Sequence, residues 1–149
     1  MEYQEILKHI APCGLNCRKC LAHVKGDIRR LSMSLADLLG PNFGEYAGRL
    51  SAFEPALENY DAFRELLEFF TRGSCRSCRE GECVFFACPV KDCVKEKWVD
   101  FCFQCDQFPC EDPGLSERLT KRWRDNNEEM KRIGVEGFFE RVKDLPRYP

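Results

Sequence analysis

Eight of the chain's eleven cysteines lie within residues 75–110, a density that points to metal chemistry. Two C-x2-C pairs, Cys75/Cys78 and Cys102/Cys105, stand about 20 residues apart, the spacing typical of a tetrahedral thiolate site. Eight soft thiolates suit two four-thiolate sites. We predict that the ligands from this segment are Cys75, Cys78, Cys83, Cys88, Cys93, Cys102, Cys105 and Cys110.

A second cysteine group near the start of the chain is the C-x3-C-x2-C arrangement of Cys13, Cys17 and Cys20. Gly14 and Asn16 can take the unusual backbone angles that wrap a chain around an ion. Three thiolates need a fourth partner, which could be His23, a later cysteine or an external molecule. For His23 itself a helix-surface or half-buried position is the favoured interpretation.

Other uses of cysteine explain the pattern less well. The N-terminus has no apolar signal region and the cysteine count is odd, which argues against a secreted disulfide framework. No strand pattern flanks either C-x2-C pair, as a dithiol redox protein would require. Radical enzymes with the C-x3-C-x2-C spacing need a barrel of roughly 200 residues or more. Iron–sulfur ligation stays open, because clusters also use four thiolates.

The composition of the whole chain limits its partners. Its 149 residues carry 23 basic and 25 acidic side chains, a net charge of −2, so no basic excess favours nucleic acid. No run approaches the ~20 apolar residues of a membrane span, and no targeting segment is visible. We expect a cytoplasmic, reducing location, where thiols are available to metals.

Helical periodicity indicates the elements that position these cysteines. Residues 18–39 predict an amphipathic helix, divided near Gly26 with Asp27 as a second N-cap and ended by Gly40 and Pro41. Its apolar face comprises Leu21, Val24, Ile28, Leu31, Leu35 and Leu38. A short helix or loop over 42–53 follows. Another helix begins at Pro55 and ends at Gly73. Its predicted core stripe is Leu57, Tyr60, Phe63, Leu66, Leu67 and Phe70.

Aromatic residues interleave with the later cysteines and should exclude water from the thiolates. They are Phe85, Phe86, Trp98, Phe101, Phe103 and Phe108. After residue 112, Ser116 is a possible cap for a helix over 115–133. Gly134 should end that helix, before a last one over 135–143 that turns Phe138 and Phe139 inward.

Together these patterns predict one mainly α domain over 1–149. A helical part (1–73) and C-terminal helices (113–149) would flank an irregular, metal-stapled module (74–112) that resembles a zinc ribbon or knuckle.

Five motifs carry a resemblance over about residues 11–148: CGLNCRKC, SCRSC, CPVKDC, DFCFQCDQFPC and NNEEMKRIGVEGFF, in that order. The chain resembles an uncharacterised cysteine-rich family of small bacterial and archaeal proteins, a domain of unknown function that is regarded as zinc-binding. The resemblance implies that all eleven cysteines act together. Two positions depart from it: four residues separate Cys83 from Cys88 where relatives often have two, and His23 replaces an aromatic.

Two functions fit these observations. The first is a zinc protein whose sites are structural and which acts as an interaction or adaptor module for another protein. The alternative is an iron–sulfur or open-site metal protein with redox or enzymatic activity. No acid–base pair, nucleophile motif or phosphate loop accompanies the cysteines. We therefore predict no catalytic residues and favour the non-enzymatic function.

Overall fold

The structure is a computed structural model that describes residues 1–80 and 83–148. Gly81 and Glu82, inside the predicted cysteine module, and Pro149, in the predicted tail, lie outside the described residues. Within these ranges the chain forms six α-helices and no named β-strand, which confirms the mainly α class. The helices are α1 (Tyr3–Ile6), α2 (Asp27–Leu39), α3 (Phe43–Leu50), α4 (Tyr60–Arg72), α5 (Val90–Glu96) and α6 (Glu117–Val142).

The main core joins the two ends of the chain to the cysteine-rich segment. It consists of Ile6, Ile10, Phe101, Met130, Val135, Phe138 and Phe139. Phe138 and Phe139 are buried as predicted, and Gly134 interrupts α6 with a φ of 81°. Phe101 is fully buried beside them. The cysteine-rich segment is therefore anchored in the same core as α1 and α6.

The start of α2 differs from the sequence prediction. Residues 18–26 are not helical beyond a 3-10 turn at Cys17–Lys19. Gly26 occupies the N-cap, and Asp27 lies in the first turn instead of capping it. Hydrogen bonds between residues 22–24 and 74–75 explain the difference, because they use backbone groups that a continuous helix would need. The predicted end is confirmed: α2 stops at Gly40, whose φ is 73°.

Helices α2 and α4 pack against each other but leave much apolar surface uncovered. A 3-10 helix, Pro55–Asn59, precedes α4, and Gly73 ends it as predicted. The predicted core faces are wrong in part, because five of their twelve residues are exposed. Leu67 is the buried residue of α4, whereas Phe63 and Leu66 are exposed. Leu31, Leu35 and Leu38 of α2 are exposed as well. Periodicity identified apolar faces that no described part of the chain covers.

The aromatic residues near the later cysteines divide into two groups. Phe101 is buried and Phe103 and Phe108 are partly buried, in agreement with the prediction. Phe85, Phe86 and Trp98 are exposed, and Trp98 is 94% accessible. The last three therefore do not exclude water from the thiolates. In the described part of the chain, no helix combines the length and the apolar character that crossing a bilayer requires.

Candidate metal centres

Backbone hydrogen bonds bring the first C-x2-C pair, Cys17/Cys20, next to the pair Cys75/Cys78. The carbonyl of Ala22 accepts the N–H groups of Ser74 (2.8 Å) and Cys75 (2.9 Å). The Val24 N–H donates to the Cys75 carbonyl at 2.9 Å. This short pairing explains how two motifs far apart in sequence become neighbours.

Five sulfurs meet around this pairing, and we call them the inter-segment cluster: Cys17, Cys20, Cys75, Cys78 and Cys83. Cys20 and Cys75 are buried in one apolar cluster with Ala22, and Cys83 packs against it. The Cys78 thiol interacts with the thiols of Cys17 and Cys83. The early and late cysteine groups of the sequence therefore share one site.

Burial and neighbouring sulfurs raise the pKa values of Cys75, Cys78 and Cys83. The interaction with Cys17 comes first among the causes that raise the pKa of Cys78 to about 12. Burial and the neighbouring Cys83 raise the pKa of Cys75 to about 11. The interaction with Cys78 raises the pKa of Cys83 further still. A bound cation would oppose this effect, because its charge stabilises thiolates.

Four of the five remaining late cysteines form a second group, the local cluster: Cys93, Cys102, Cys105 and Cys110. Cys93, Cys102 and Cys110 line one cavity of about 270 Å³, with Trp123 of α6 in its wall. Cys105 completes a 3-10 turn by donating its N–H to the Cys102 carbonyl at 3.1 Å, and its sulfur affects the pKa of Cys93. All four cysteines of the local cluster therefore come from residues 93–110.

Trp123 gives the local cluster a hydrogen-bond donor. Its indole N–H is buried and has no partner of normal geometry. Burial raises the pKa of Cys102 to about 12, and the neighbouring indole N–H opposes that rise. A thiolate at Cys102 would supply the acceptor that the indole lacks, which is the usual requirement for a buried polar group.

Cys13 and Cys88 lie between the two clusters. Together with Cys78 and Cys83 they line a small cavity of about 70 Å³, which also contains Arg122 and Arg147. Burial raises the pKa of the Cys13 thiol. Burial disfavours the charged form of Arg147, but the sulfurs of Cys20 and Cys17 outweigh this effect, so the pKa of Arg147 is raised. The region is therefore suited to negatively charged sulfur.

His23 is buried at 4% exposure, not half-buried as predicted. Its Nδ1 accepts the Lys25 N–H at 3.1 Å, and its Nε2 has no partner. The ring lines a cleft that contains no cysteine. The described structure thus leaves it apart from the thiols it was a candidate to join.

The sequence interpretation missed three side-chain anchors around the clusters. Arg79, directly after Cys78, donates to the carbonyls of Leu7 (3.1 Å), Ile10 (3.3 Å) and Asp100 (2.7 Å). Asn127 accepts the Phe103 N–H at 3.0 Å and donates to the Pro12 carbonyl at 3.3 Å.

The third anchor is the C-terminal tail, which closes over the first motif. There Arg147 donates to the Asn16 carbonyl at 2.7 Å, and the Tyr148 hydroxyl lies 3.7 Å from Cys20 Sγ. Of the residues that make these contacts, only Asn127, next to Asn126 in α6, stood out in the sequence.

All eleven cysteines are free thiols. Among residues 1–80 and 83–148, no group of three or more His, Cys, Asp or Glu side chains has a geometry that could hold a metal ion. The sulfurs converge, but a finished coordination sphere is not assembled. The donor set nevertheless fits a soft cation, since it is rich in buried thiols and offers a donor to Cys102. Metal binding stays a prediction.

Comparison with known proteins gives a family without an activity. No curated protein and no solved structure matches the chain. The family model described as "Protein of unknown function (DUF3795)" matches residues 9–114, a range that contains all eleven cysteines. Because this match covers more than half of the chain, the chain belongs to the DUF3795 family.

Proposed function

We propose that the protein is a zinc-binding module in which the inter-segment cluster and the local cluster each hold one structural ion. The observation that carries this proposal is the pairing of residues 22–24 with 74–75, which places two C-x2-C turns side by side. A four-thiolate site needs two such turns. The local cluster offers a second set of four sulfurs.

A bound zinc ion would supply a tetrahedral centre that ties its ligands together and lowers their pKa values. Four thiolates around one ion leave a net charge of about −2, which the surroundings must compensate. Arg147 lies beside Cys17 and Cys20, and the Trp123 indole lies beside Cys102. These two groups are suited to that role without being ligands.

The exposed apolar residues support an adaptor role for the helical part. Leu38 is 84% exposed, Phe53 86% and Leu66 57%. Apolar surface of this kind is typical of protein contacts. We propose that this face binds a partner protein. Photo-cross-linking in cells from position 38 should trap a partner, whereas position 95 serves as an exposed control; equal trapping at both positions would contradict the proposal.

The alternative function remains an iron–sulfur or open-site protein with redox or enzymatic activity. One observation favours it: Cys13 and Cys88, which belong to neither cluster, share the small cavity with Cys78, Cys83, Arg122 and Arg147. Sulfurs with cationic neighbours could hold a metal centre that leaves one coordination position for an external molecule.

Metal analysis of protein purified without oxygen tests the two functions. We expect two zinc ions per chain, no visible absorption and no acid-labile sulfide. X-ray absorption should then report four protein ligands at each zinc. A brown protein with iron and sulfide, or a protein without stoichiometric metal, would overturn the zinc proposal. A site with three sulfurs and one exchangeable light atom would establish the open site.

A further inference from the structure

A cleft of about 440 Å³ borders the inter-segment cluster but has no cysteine in its lining. Its lining residues are Lys8, Arg18, His23, Val24, Lys25, Arg76 and Glu80. The volume falls in the range of about 300–1,000 Å³ that is typical of small-molecule sites. Neither metal centre nor the exposed apolar face accounts for this cleft.

His23 lines the cleft with a ring whose Nε2 meets no acceptor in hydrogen-bond geometry, although the Arg76 carbonyl interacts with the ring. The Lys25 N–H occupies Nδ1, which must therefore be the unprotonated nitrogen. The proton of the neutral ring is then on Nε2, which is buried and has no partner. Buried polar groups in native proteins almost always have a partner, so the missing acceptor points to a ligand.

The charged side chains around His23 indicate the sign of the ligand's charge. Four cationic side chains, Lys8, Arg18, Lys25 and Arg76, line the cleft with one carboxylate, Glu80. Lys8 also pairs with Glu5 at 2.5 Å, which leaves its charge partly balanced. Without counting Lys8 or Arg76, Arg18 and Lys25 outnumber Glu80, so an excess of positive charge remains. Guanidinium groups bind planar or tetrahedral oxyanions through two hydrogen bonds, and an imidazole N–H adds a third.

We propose that this cleft binds a phosphate group, either as free phosphate or at the end of a small phosphorylated metabolite. A phosphate oxygen would accept the proton of His23 Nε2. Arg18, in the 3-10 turn Cys17–Lys19, and Lys25, two residues after His23, would neutralise its charge. The cleft has room beyond one phosphate, and Glu80 offers an acceptor for a hydroxyl on the attached group.

Calorimetric titration of the metal-loaded chain in chloride buffer tests the proposal, with inorganic phosphate and glycerol 3-phosphate as separate probes. Saturable binding should move the side-chain nitrogen resonance of His23. Tighter binding of the ester would assign the phosphorylated metabolite, and equal binding would assign free phosphate. Absence of saturation by both probes below about 10 mM, a Kd weaker than almost all specific sites, would overturn the proposal.

Variants separate the cleft from nonspecific attraction. Arg18→Gln should weaken phosphate binding about tenfold, as expected for loss of one charge-assisted contact. His23→Phe removes the donor and keeps a ring. If this variant of a buried residue does not fold, Lys25→Gln takes its place, because it removes an exposed charge from the same cleft. Lys95→Gln on α5 is the matched control and should leave the affinity unchanged. Equal affinities for Arg18→Gln, Lys25→Gln and Lys95→Gln would refute the site.

Discussion

The inter-segment cluster and the local cluster have the same donor chemistry but different positions in the chain. More than fifty residues separate Cys20 from Cys75 in the first cluster. In the second, all four cysteines lie within residues 93–110. Closing a long loop removes more freedom from the unfolded chain than closing a short one. One ion would therefore hold the fold together, while the other would shape a single segment.

The residues that surround the two clusters also differ in how far apart they lie in the sequence. The inter-segment cluster is bordered by residues 22–24, by Arg79 and by the C-terminal tail, which come from distant parts of the chain. The local cluster rests on α6 through Trp123 and Asn127. A change at the first cluster should thus spread, whereas a change at the second should stay close to its site.

Double cysteine substitutions test this contrast with the largest expected effect. Cys17→Ser/Cys75→Ser should release one zinc and increase amide hydrogen exchange at Val24 and Cys75 by at least about 100-fold, because metal binding contributes directly to folding. Hydrogen-exchange mass spectrometry on the unchanged protein and on the double variant measures this effect.

The matched control is Cys93→Ser/Cys110→Ser. It should also release one zinc, but exchange should rise around α5 and leave Val24 and Cys75 protected. If both double variants expose the same amides, the two clusters form one cooperative unit and the contrast is wrong.

Arg79→Ala should have the next largest effect, through the support of the inter-segment cluster. Its guanidinium satisfies three carbonyls and lies 4.9 Å from the centre of the Phe101 ring. Loss of charged hydrogen bonds to partly buried carbonyls should lower the free energy of unfolding by about 3–5 kcal/mol. Urea unfolding measures the change. The exposed Arg124→Ala should change it by less than about 0.5 kcal/mol. If both variants lower the free energy of unfolding by similar amounts, Arg79 does not support the inter-segment cluster.

The sequence was sufficient for the helix boundaries set by local chemistry. Gly40, Gly73 and Gly134 all take positive φ, and each ends or interrupts a helix where predicted. Phe138 and Phe139 are buried because both the periodicity and the fold place them inward. These features depend on neighbours in sequence.

Features that depend on distant neighbours could not be predicted. The sequence grouped Cys75 with the later cysteines and left a later cysteine, not identified, as one possible partner of the early group. The structure places Cys75 beside Cys20 through hydrogen bonds made by Ala22 and Val24. Nothing in the spacing identifies that pairing. Leu38 has the periodicity of a core residue but is 84% exposed, because periodicity reports an apolar face and not whether the chain covers it.

Asn127→Ala sharpens the comparison at the junction of the two clusters, with the smallest expected effect. Asn127 is fully buried, holds the Phe103 N–H next to Cys102, and binds the Pro12 carbonyl next to Cys13. Its loss leaves the Phe103 N–H without an acceptor and removes one of the two donors to the Pro12 carbonyl, so the free energy of unfolding should fall by about 2 kcal/mol.

Amide exchange decides where this loss acts, because a junction residue should affect its own contacts first. The Phe103 amide should lose protection, while Val24 and Cys75 keep theirs. Asn126→Ala is the control: its side chain donates to the Cys13 carbonyl at 3.5 Å, a long contact whose loss should cost under about 1 kcal/mol. If Asn127→Ala instead exposes Val24 and Cys75 as strongly as Phe103, then α6 supports both clusters as one unit. The difference between the two clusters in the sequence distance between their cysteines would then have no effect on stability.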